Sequence, residues 1–229
     1  MMTHLEQLQK RIMDCTKCCR LVPYIRDVAI KKRRMYRKCE YWGKPVPAFG
    51  DPKARVVILG LAPAAHGGNR TGRVFTGDLS GDWVYGTLYR YGFAATPNST
   101  HRNDGQSLND VYITAALRCA PPSNKPLREE LINCRPYLVQ ELQLLHNWKI
   151  LLALGKIAFD TYIRFCKETG AILPSPMPKF GHGVVYKLAN GTTLVGSYHP
   201  SRQNTQTGRL TKEMFENVFN LVKMLLEKD

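Results

Sequence analysis

The sequence predicts an α/β fold, a three-layer α/β/α sandwich around a central, mainly parallel sheet of four strands. Four short runs of β-branched and aliphatic residues alternate with segments that have the apolar spacing of helices. Each run is almost continuously apolar, which is typical of parallel strands buried on both faces. The runs are 55–61, 110–116, 149–154 and 193–198, and helical patterns lie around 80–92, 128–147, 155–167 and 211–227. Because such sheets bind ligands at the carboxyl ends of their strands, function is expected in loops 62–78, 117–126 and 199–211.

The residues before the first strand form a separate basic segment. Residues 3–14 have helical spacing and lead into a turn from Cys15 to Cys18, and residues 19–38 are also expected to be mostly helical. Residues 43–47 have the composition of a loop. We expect one globular domain over residues 1–229, in which residues 1–45 are a basic N-terminal helical region.

The charge of the chain favours a polyanionic partner. Lys and Arg number 33 against 18 Asp and Glu, which gives a formal net charge of +15. Eight basic residues lie between Arg20 and Cys39, opposed only by Asp27; they are either a nucleic-acid contact or a solvated helix face. No apolar run approaches the roughly 20 residues of a membrane span, and the N-terminus is unlike a signal peptide. We therefore expect a soluble cytoplasmic protein with no membrane partner.

The loop after the first predicted strand is rich in glycine. Glycines at 67, 68, 72 and 77 allow a close approach between backbone and ligand. The spacing from Gly67 to Gly72 matches a phosphate-binding P-loop, but Arg73 and Val74 stand where that motif needs Lys followed by Ser or Thr. The pattern therefore does not predict an NTPase, and Arg70 and Arg73 are candidate DNA-binding residues instead.

The loop after the last predicted strand is polar and basic. His199 follows the strand directly, where a rigid element can aim it into a crevice, and Ser201 can donate a hydrogen bond to a phosphate. Leu210 is the one apolar residue near the end of this loop, and we expect it to act as a wedge in the base stack. The remaining candidate DNA-binding residues of this loop are Arg202, Asn204 and Arg209. The alternative is a flexible surface loop without a ligand.

These two loops resemble the two motifs of the uracil-DNA glycosylase superfamily. The forms Gly60–Leu61–Ala62–Pro63 and His199-Pro-Ser-Arg-Gln-Asn-Thr-Gln-Thr-Gly208 are similar to its family 5, and the resemblance spans nearly the whole chain. It implies a monofunctional glycosylase that flips uracil out of DNA and hydrolyses the glycosidic bond, thereby initiating base-excision repair. The implied partner is uracil-containing or otherwise deaminated duplex DNA, with single strands also accepted. A monomer suffices for this chemistry.

Seven cysteines without a secretory signal argue against a disulfide framework. The resemblance includes Cys15, Cys18, Cys119 and Cys134, which in families 4 and 5 ligate a [4Fe–4S] cluster. From the residues alone, four such thiolates suit either Zn²⁺ or an iron–sulfur cluster, and the family resemblance selects the cluster. Cys19 is an alternative to Cys18, although Cys18 gives the more usual two-residue spacer. The cluster is expected to be structural and to tie residues 1–45 to the rest of the domain.

The resemblance also implies roles for residues at the strand ends. Phe75 is the stacking platform for the flipped base, and His199, either neutral or protonated, donates to uracil O2 as the leaving anion forms. Asn124 contacts the base or the water, or is an ordinary turn residue. Gly60 and Ala62 of the first motif border the base.

Two positions depart from the wider superfamily. Ala62 stands where several relatives carry an Asp or Asn that positions the water, so we assign that role to Asp78; the structural alternative is that Asp78 only caps the following helix. Ala115 stands where family 4 carries an Asn that reads the pyrimidine edge. A pocket without that reader is expected to accept hypoxanthine and other modified bases as well as uracil.

Two other classes of protein remain as alternatives. A non-catalytic iron–sulfur or zinc protein that binds nucleic acid explains the charge and the cysteines, but not the grouping of Phe75, Asp78 and His199 at strand ends. A metal-assisted hydrolase requires His or carboxylate ligands at metal spacing, and no pair among the six His has it.

Overall fold

Six strands form one mixed sheet in the computed structural model, which describes residues 2–227. The strands are β1 (Phe49–Gly50), β2 (Val56–Gly60), β3 (Val111–Ala115), β4 (Ile150–Leu154), β5 (Val185–Lys187) and β6 (Thr193–Ser197). The helices are α1 (His4–Met13), α2 (Leu21–Lys31), α3 (Gly68–Thr71), α4 (Leu79–Arg90), α5 (Arg128–Leu144), α6 (Lys156–Glu168), α7 (Arg202–Gln206) and α8 (Lys212–Glu227).

The strand order is β1-β3-β2-β4-β6-β5, and the four central strands are parallel to one another. Every residue of these four strands is buried, so the prediction of a parallel four-stranded centre is confirmed. The sheet is larger than predicted, because β1 and β5 add an antiparallel strand at each edge. Both are short and only partly buried, so their apolar signal is weak.

Helices cover both faces of the sheet, as predicted. One face packs against α4 and α8, where Tyr85, Phe215 and Phe219 are fully buried. The other packs against α5 and α6, with Phe159 and Tyr162 at its centre. Burying each such side chain contributes roughly 1.5–3 kcal/mol, so the two layers hold the strand ends rigidly in place.

The N-terminal residues pack beside this sandwich. Helix α1 begins with a capping box between Thr3 and Glu6 and lies along α5. Helix α2 ends at Lys31, earlier than predicted, because Lys32 adopts a left-handed φ of 52° that no α-helix contains. A short 3₁₀ turn, Arg34–Tyr36, follows. No helix within residues 2–227 has the length and apolar character needed to cross a membrane.

Candidate active site

The glycine-rich loop after β2 and the basic loop after β6 meet at the carboxyl ends of the parallel strands. The ring centroids of Phe75 and His199 lie 5.8 Å apart, with their planes inclined by 32°. The Ser80 hydroxyl also donates a 3.0 Å hydrogen bond to the carbonyl of Pro200. Two segments distant in sequence are therefore joined both by ring contact and by a hydrogen bond.

A cavity of about 940 Å³ opens between these loops. That volume lies at the upper end of the range of small-molecule sites, so it accommodates a nucleobase together with part of its sugar. Several residues predicted from sequence line it: Ala62, Phe75, Asp78, Asn124, His199, Ser201, Arg202, Asn204 and Arg209. The lining also includes Arg33 of the basic run between Arg20 and Cys39, and residues that sequence reasoning did not single out, among them Tyr24, Tyr36 and His66.

Phe75 is held in an unusual backbone conformation. Its φ is +50°, a left-handed value that costs a bulky residue of the order of 1–3 kcal/mol and is concentrated at functional sites. A Cβ on Gly60 would lie 2.8 Å from Phe75 Cζ, and a Cβ on Gly81 would lie 2.0 Å from the Phe75 carbonyl oxygen. Gly60 does not itself line the cavity; it leaves room for the Phe75 ring.

Asp78 combines a structural position with an unusual environment. Its Oδ1 accepts a 3.0 Å hydrogen bond from the Gly81 N–H, so it is the N-cap of α4. A Cβ on Gly67 would lie only 2.0 Å from Asp78 Oδ2, so the carboxylate packs directly against a glycine backbone. Burial raises the pKa of Asp78 above its ordinary value, which makes it a better proton acceptor near neutral pH.

His199 is neutral at physiological pH because burial lowers its pKa to about 4. Its backbone carbonyl accepts hydrogen bonds from the Ser201 N–H at 2.7 Å and from Asn204 Nδ2 at 2.8 Å. These bonds hold the His199 backbone, and its neutral imidazole offers one N–H donor without placing a full positive charge in the cavity.

A second histidine, which the sequence analysis missed, supports the strand end behind His199. His182 Nδ1 accepts a 3.2 Å hydrogen bond from the Tyr198 N–H, while His182 Nε2 lies 3.2 Å from the Met214 carbonyl. Because a carbonyl only accepts, Nε2 carries the proton and Nδ1 is free to accept. His182 also stacks on the Tyr198 ring at 5.1 Å. Its only sequence signal is its place between Gly181 and Gly183, in a segment without predicted structure.

Asn124 lies at the exposed edge of the cavity, at the end of a 3₁₀ turn, with a left-handed φ of +56°. Asn tolerates that conformation better than most residues, so the turn itself explains part of its presence.

Ala62 lines the cavity without a polar group, and Ala115 is buried at the end of β3 opposite Gly60.

The prediction that Arg73 binds DNA is wrong. Arg73 is 4% exposed and forms a 2.7 Å ion pair with Asp104, with further hydrogen bonds to the Ser99 hydroxyl and the Arg102 carbonyl. Its guanidinium is buried and bonded to other residues of the fold, so it is not available to DNA. Arg70 is also engaged, with the carbonyls of His66 and Gly77, and its contact with DNA stays a prediction.

The prediction that Leu210 is a wedge in the base stack is also wrong. Leu210 is 1% exposed and belongs to the core cluster that contains Phe215 and Val218 of α8. Extending it into DNA would remove it from that core. The exposed tip of the loop is formed instead by residues 206–209, in which Arg209 packs over the Tyr198 ring at 4.7 Å. Ser201 caps α7 by accepting from the Asn204 N–H at 3.3 Å.

The four cysteines expected to act as ligands lie in one region beside the cavity. Cys18, Cys119 and Cys134 are buried in one cluster with Leu117, and Cys15 packs on the adjacent side against Ile12 and Tyr137. Cys19 is exposed, whereas Cys18 is 7% exposed. Ala62 and Ala65 pack against the same cluster, so the cysteines adjoin the cavity wall.

The surroundings of these thiols fit a group bound through thiolates. Asn133 Nδ2 donates to Cys18 Sγ at 3.7 Å, and the Arg118 backbone N–H donates to Cys134. Burial raises the pKa of Cys134 to about 11 and also raises the pKa of Cys119, so these thiols stay protonated unless a bound metal centre supplies a compensating positive charge. Hydrogen-bond donors to sulfur in a buried site are typical of iron–sulfur centres. Residues 2–227 hold no group of three or more His, Cys, Asp or Glu arranged to bind a single metal ion.

A buried ion pair braces this region. Arg118 and Glu141 are both almost fully buried and hydrogen-bonded to each other, and Glu141 also accepts from the Thr114 hydroxyl at 2.6 Å and from Gln9 Nε2 at 2.7 Å. The network connects α1, β3 and α5. It therefore links the segments that carry Cys15, Cys119 and Cys134.

Comparisons with known proteins agree with this geometry. A family model described as the uracil DNA glycosylase superfamily matches residues 47–223. The chain is 46% identical over 220 residues to the type-5 uracil-DNA glycosylase of Mycobacterium tuberculosis, covering 96% of this chain and 81% of the relative. It is also 46% identical over 220 residues to the type-5 uracil-DNA glycosylase of Thermus thermophilus, covering 96% and 97%. Identity to the type-4 uracil-DNA glycosylase of Pyrobaculum aerophilum is 32%, over 92% and 91%.

Proposed function

This chain belongs to the uracil-DNA glycosylase superfamily and is similar to its type-5 members, and on that premise we propose that it excises uracil from DNA by hydrolysing the N-glycosidic bond. The observation that carries the proposal is the convergence of Phe75, Asp78 and His199 in one cavity at the strand ends. The net charge of +15 supports DNA as the substrate polymer.

The target nucleotide enters the cavity in an extrahelical position, because water cannot reach its anomeric carbon inside a stacked duplex. Extrusion costs a few kcal/mol. Stacking of the base on Phe75 offsets about 1–3 kcal/mol of that cost, and the strained φ of Phe75 sets the platform before substrate arrives.

In the bond-breaking step the C1′–N1 bond cleaves, and its electron pair leaves with uracil as an anion. The neutral His199 imidazole donates a hydrogen bond to uracil O2, where negative charge develops. Asn124, which lines the cavity, contacts the base edge or the attacking water in this proposal.

Water supplies the new bond to C1′. Asp78 orients this water and accepts its proton, and its negative charge stabilises the oxocarbenium-like transition state. The raised pKa of Asp78 suits a proton acceptor working near neutral pH. Its role as N-cap of α4 fixes the carboxylate without excluding this chemistry.

The range of bases follows from what the cavity lacks. Ala115, at the position where family 4 is expected to carry an Asn that reads the pyrimidine edge, offers no polar group. We expect hypoxanthine and other deaminated bases to be excised alongside uracil, which a panel of oligonucleotides with single modified bases checks. Strict cleavage of uracil alone would contradict this expectation.

A [4Fe–4S] cluster is the group that best fits the three buried thiols of Cys18, Cys119 and Cys134 together with the partly buried thiol of Cys15. Its role would be structural, since it would tie the N-terminal helices to α5 and to the loop after β3. The base-excision residues lie on the other side of Ala62 and Ala65. The chemistry of excision is therefore assigned to side chains of this chain.

Incubation with a uracil-containing duplex, followed by alkali, tests the proposal. A glycosylase leaves an alkali-labile abasic site, whereas a non-catalytic nucleic-acid-binding protein leaves the strand intact. A thymine-containing duplex of the same sequence is the control. Excision would initiate base-excision repair, with the enzyme acting as a monomer on the DNA of the nucleoid.

A further inference from the structure

The basic turn from Arg33 to Lys38 borders the cavity but takes no part in the excision chemistry. We propose that this turn is a second DNA-contacting surface, which binds phosphates across the cavity from the loop 201–209. The inference rests on the proposed function and goes beyond it, because it names the surface that holds the strand on the far side of the extruded nucleotide.

The position of the turn follows from the order of the strands. Loop 201–209 follows β6, whereas α2 packs against Leu117 after β3 and against Ala62 after β2. In the row β3-β2-β4-β6, the two basic segments therefore stand at opposite ends. Arg33 and Tyr36 line the same cavity as Arg202 and Arg209.

The turn and Tyr41, which follows it, both contact the glycine-rich loop 62–78. The Arg70 guanidinium lies 4.1 Å from the centre of the Tyr36 ring, and the Tyr41 hydroxyl is 2.9 Å from His66 Nδ1. Lys32 Nζ donates to the Cys39 carbonyl at 2.9 Å and closes the turn. A surface held in place before binding loses little conformational entropy when DNA arrives.

The charges of the turn are free for an external partner. Lys31 is paired with Asp27 at 2.9 Å, but the basic residues of the turn itself have no acidic partner among the described residues. The four exposed side chains concerned are Arg33, Arg34, Arg37 and Lys38. They contrast with Arg73 and Arg118, whose charges are neutralised by buried carboxylates.

A solvated helix face, the alternative from sequence, requires neither the position nor the bracing of this turn. A run of charges that is only solvated does not need to pack against the glycine-rich loop that lines the cavity. Free cations on two sides of one cavity are instead suited to gripping the backbone on both sides of a flipped nucleotide, which helps to offset the cost of extrusion.

The test measures how DNA affinity depends on salt. The probe is a duplex with a non-hydrolysable abasic analogue, and the variant is the double substitution Arg34→Ala and Arg37→Ala, neither of which lines the cavity. Each phosphate contact contributes about 0.9 to the slope of log K against log salt, so the slope should fall by about 2. The control variant is Arg164→Ala with Lys167→Ala, two exposed cations on α6.

Helix α6 leads away from the carboxyl ends of the strands, so the control should keep the wild-type slope. The single-turnover excision rate at saturating enzyme should be unchanged in the control variant, and the enzyme concentration needed for half-saturation should rise only in the Arg34/Arg37 variant. An unchanged slope in the Arg34/Arg37 variant, equal to that of the control, would overturn the inference while uracil excision by the wild type still stood. Absence of excision by the wild type would instead refute the proposed function.

Discussion

The Phe75 and His199 rings lie 5.8 Å apart and tilt by 32°, although one follows β2 and the other follows β6. Their proximity means that a base stacked on Phe75 brings its edge to an imidazole that burial keeps neutral.

Asp78→Asn should slow excision by about 10²- to 10⁴-fold without destabilising the protein, because Asn caps a helix as well as Asp does but cannot accept the proton. In the wild type, the rate should fall as pH drops through the pKa of Asp78, which is raised above its ordinary value. His199, with a pKa of about 4, should give no inflection near pH 6.5. Single-turnover rates across pH measure both.

Asp82→Asn is the matched control for that series. The Asp82 carboxylate contributes to raising the pKa of Asp78, so its removal should move the acid limb to lower pH while leaving the plateau rate near wild type. If Asp78→Asn retained the wild-type rate and acid limb, Asp78 would be only a helix cap.

Gly60→Ala should weaken binding of the flipped base, although Gly60 is not at the cavity surface. The new Cβ would meet Phe75 Cζ at 2.8 Å and displace the ring. Loss of stacking worth about 1–3 kcal/mol corresponds to about a 5- to 150-fold weaker Kd for a duplex with a non-cleavable uracil analogue.

Gly86→Ala in α4 serves as the comparison, since its Cβ would meet only the Pro97 carbonyl at 3.8 Å. It should stabilise the protein by roughly 0.5–1 kcal/mol and leave binding unchanged. Equal affinities for the two variants would show that the position of the Phe75 ring does not matter.

Cys18→Ser should reduce bound iron and lower the melting temperature, whereas Cys19→Ser should do neither. Cys18 is buried among the other thiols and Cys19 is exposed. Iron and sulfide analysis, with thermal unfolding, distinguishes the two adjacent positions. Equal iron content in both variants would contradict the assignment of Cys18 as ligand.

Leu210→Ala should cost about 2–5 kcal/mol of unfolding free energy, as expected for a truncated core residue. Ile172→Ala, at a side chain 74% exposed, should change stability by less than about 0.5 kcal/mol. If the Leu210→Ala protein were stable and lost activity on duplexes but not on single strands, Leu210 would act as a wedge in the base stack after all.

The parallel centre of the sheet could be predicted from sequence because strands such as Ile150–Leu154 are buried on both faces and therefore continuously apolar. The edge strands could not, since β1 has two residues and β5 is partly exposed. A strand of two or three residues is too short for an alternating apolar pattern to show that it pairs with a sheet.

His199 could be located because it lies in the loop directly after β6, whereas Phe75 and Asp78 could be located because the glycine-rich segment after β2 resembles a glycosylase motif. Arg73 and Leu210 are buried because of partners distant in sequence. Arg73 pairs with Asp104, and Leu210 belongs to the same core cluster as Phe215 of α8. A basic or apolar residue in a polar loop looks available for DNA until such a tertiary partner is known. The support that His182 gives to Tyr198 was hidden for the same reason.

The most direct measurement is the single-turnover excision of uracil from duplex DNA by the wild type and by His199→Ala. We predict an alkali-labile site at uracil with the wild type and a rate about 10²- to 10³-fold lower with the variant, because the variant removes the N–H donor that we assign to uracil O2. If the His199→Ala variant excised uracil at the same rate as the wild type, the assignment of this cavity as the site of base excision would be contradicted.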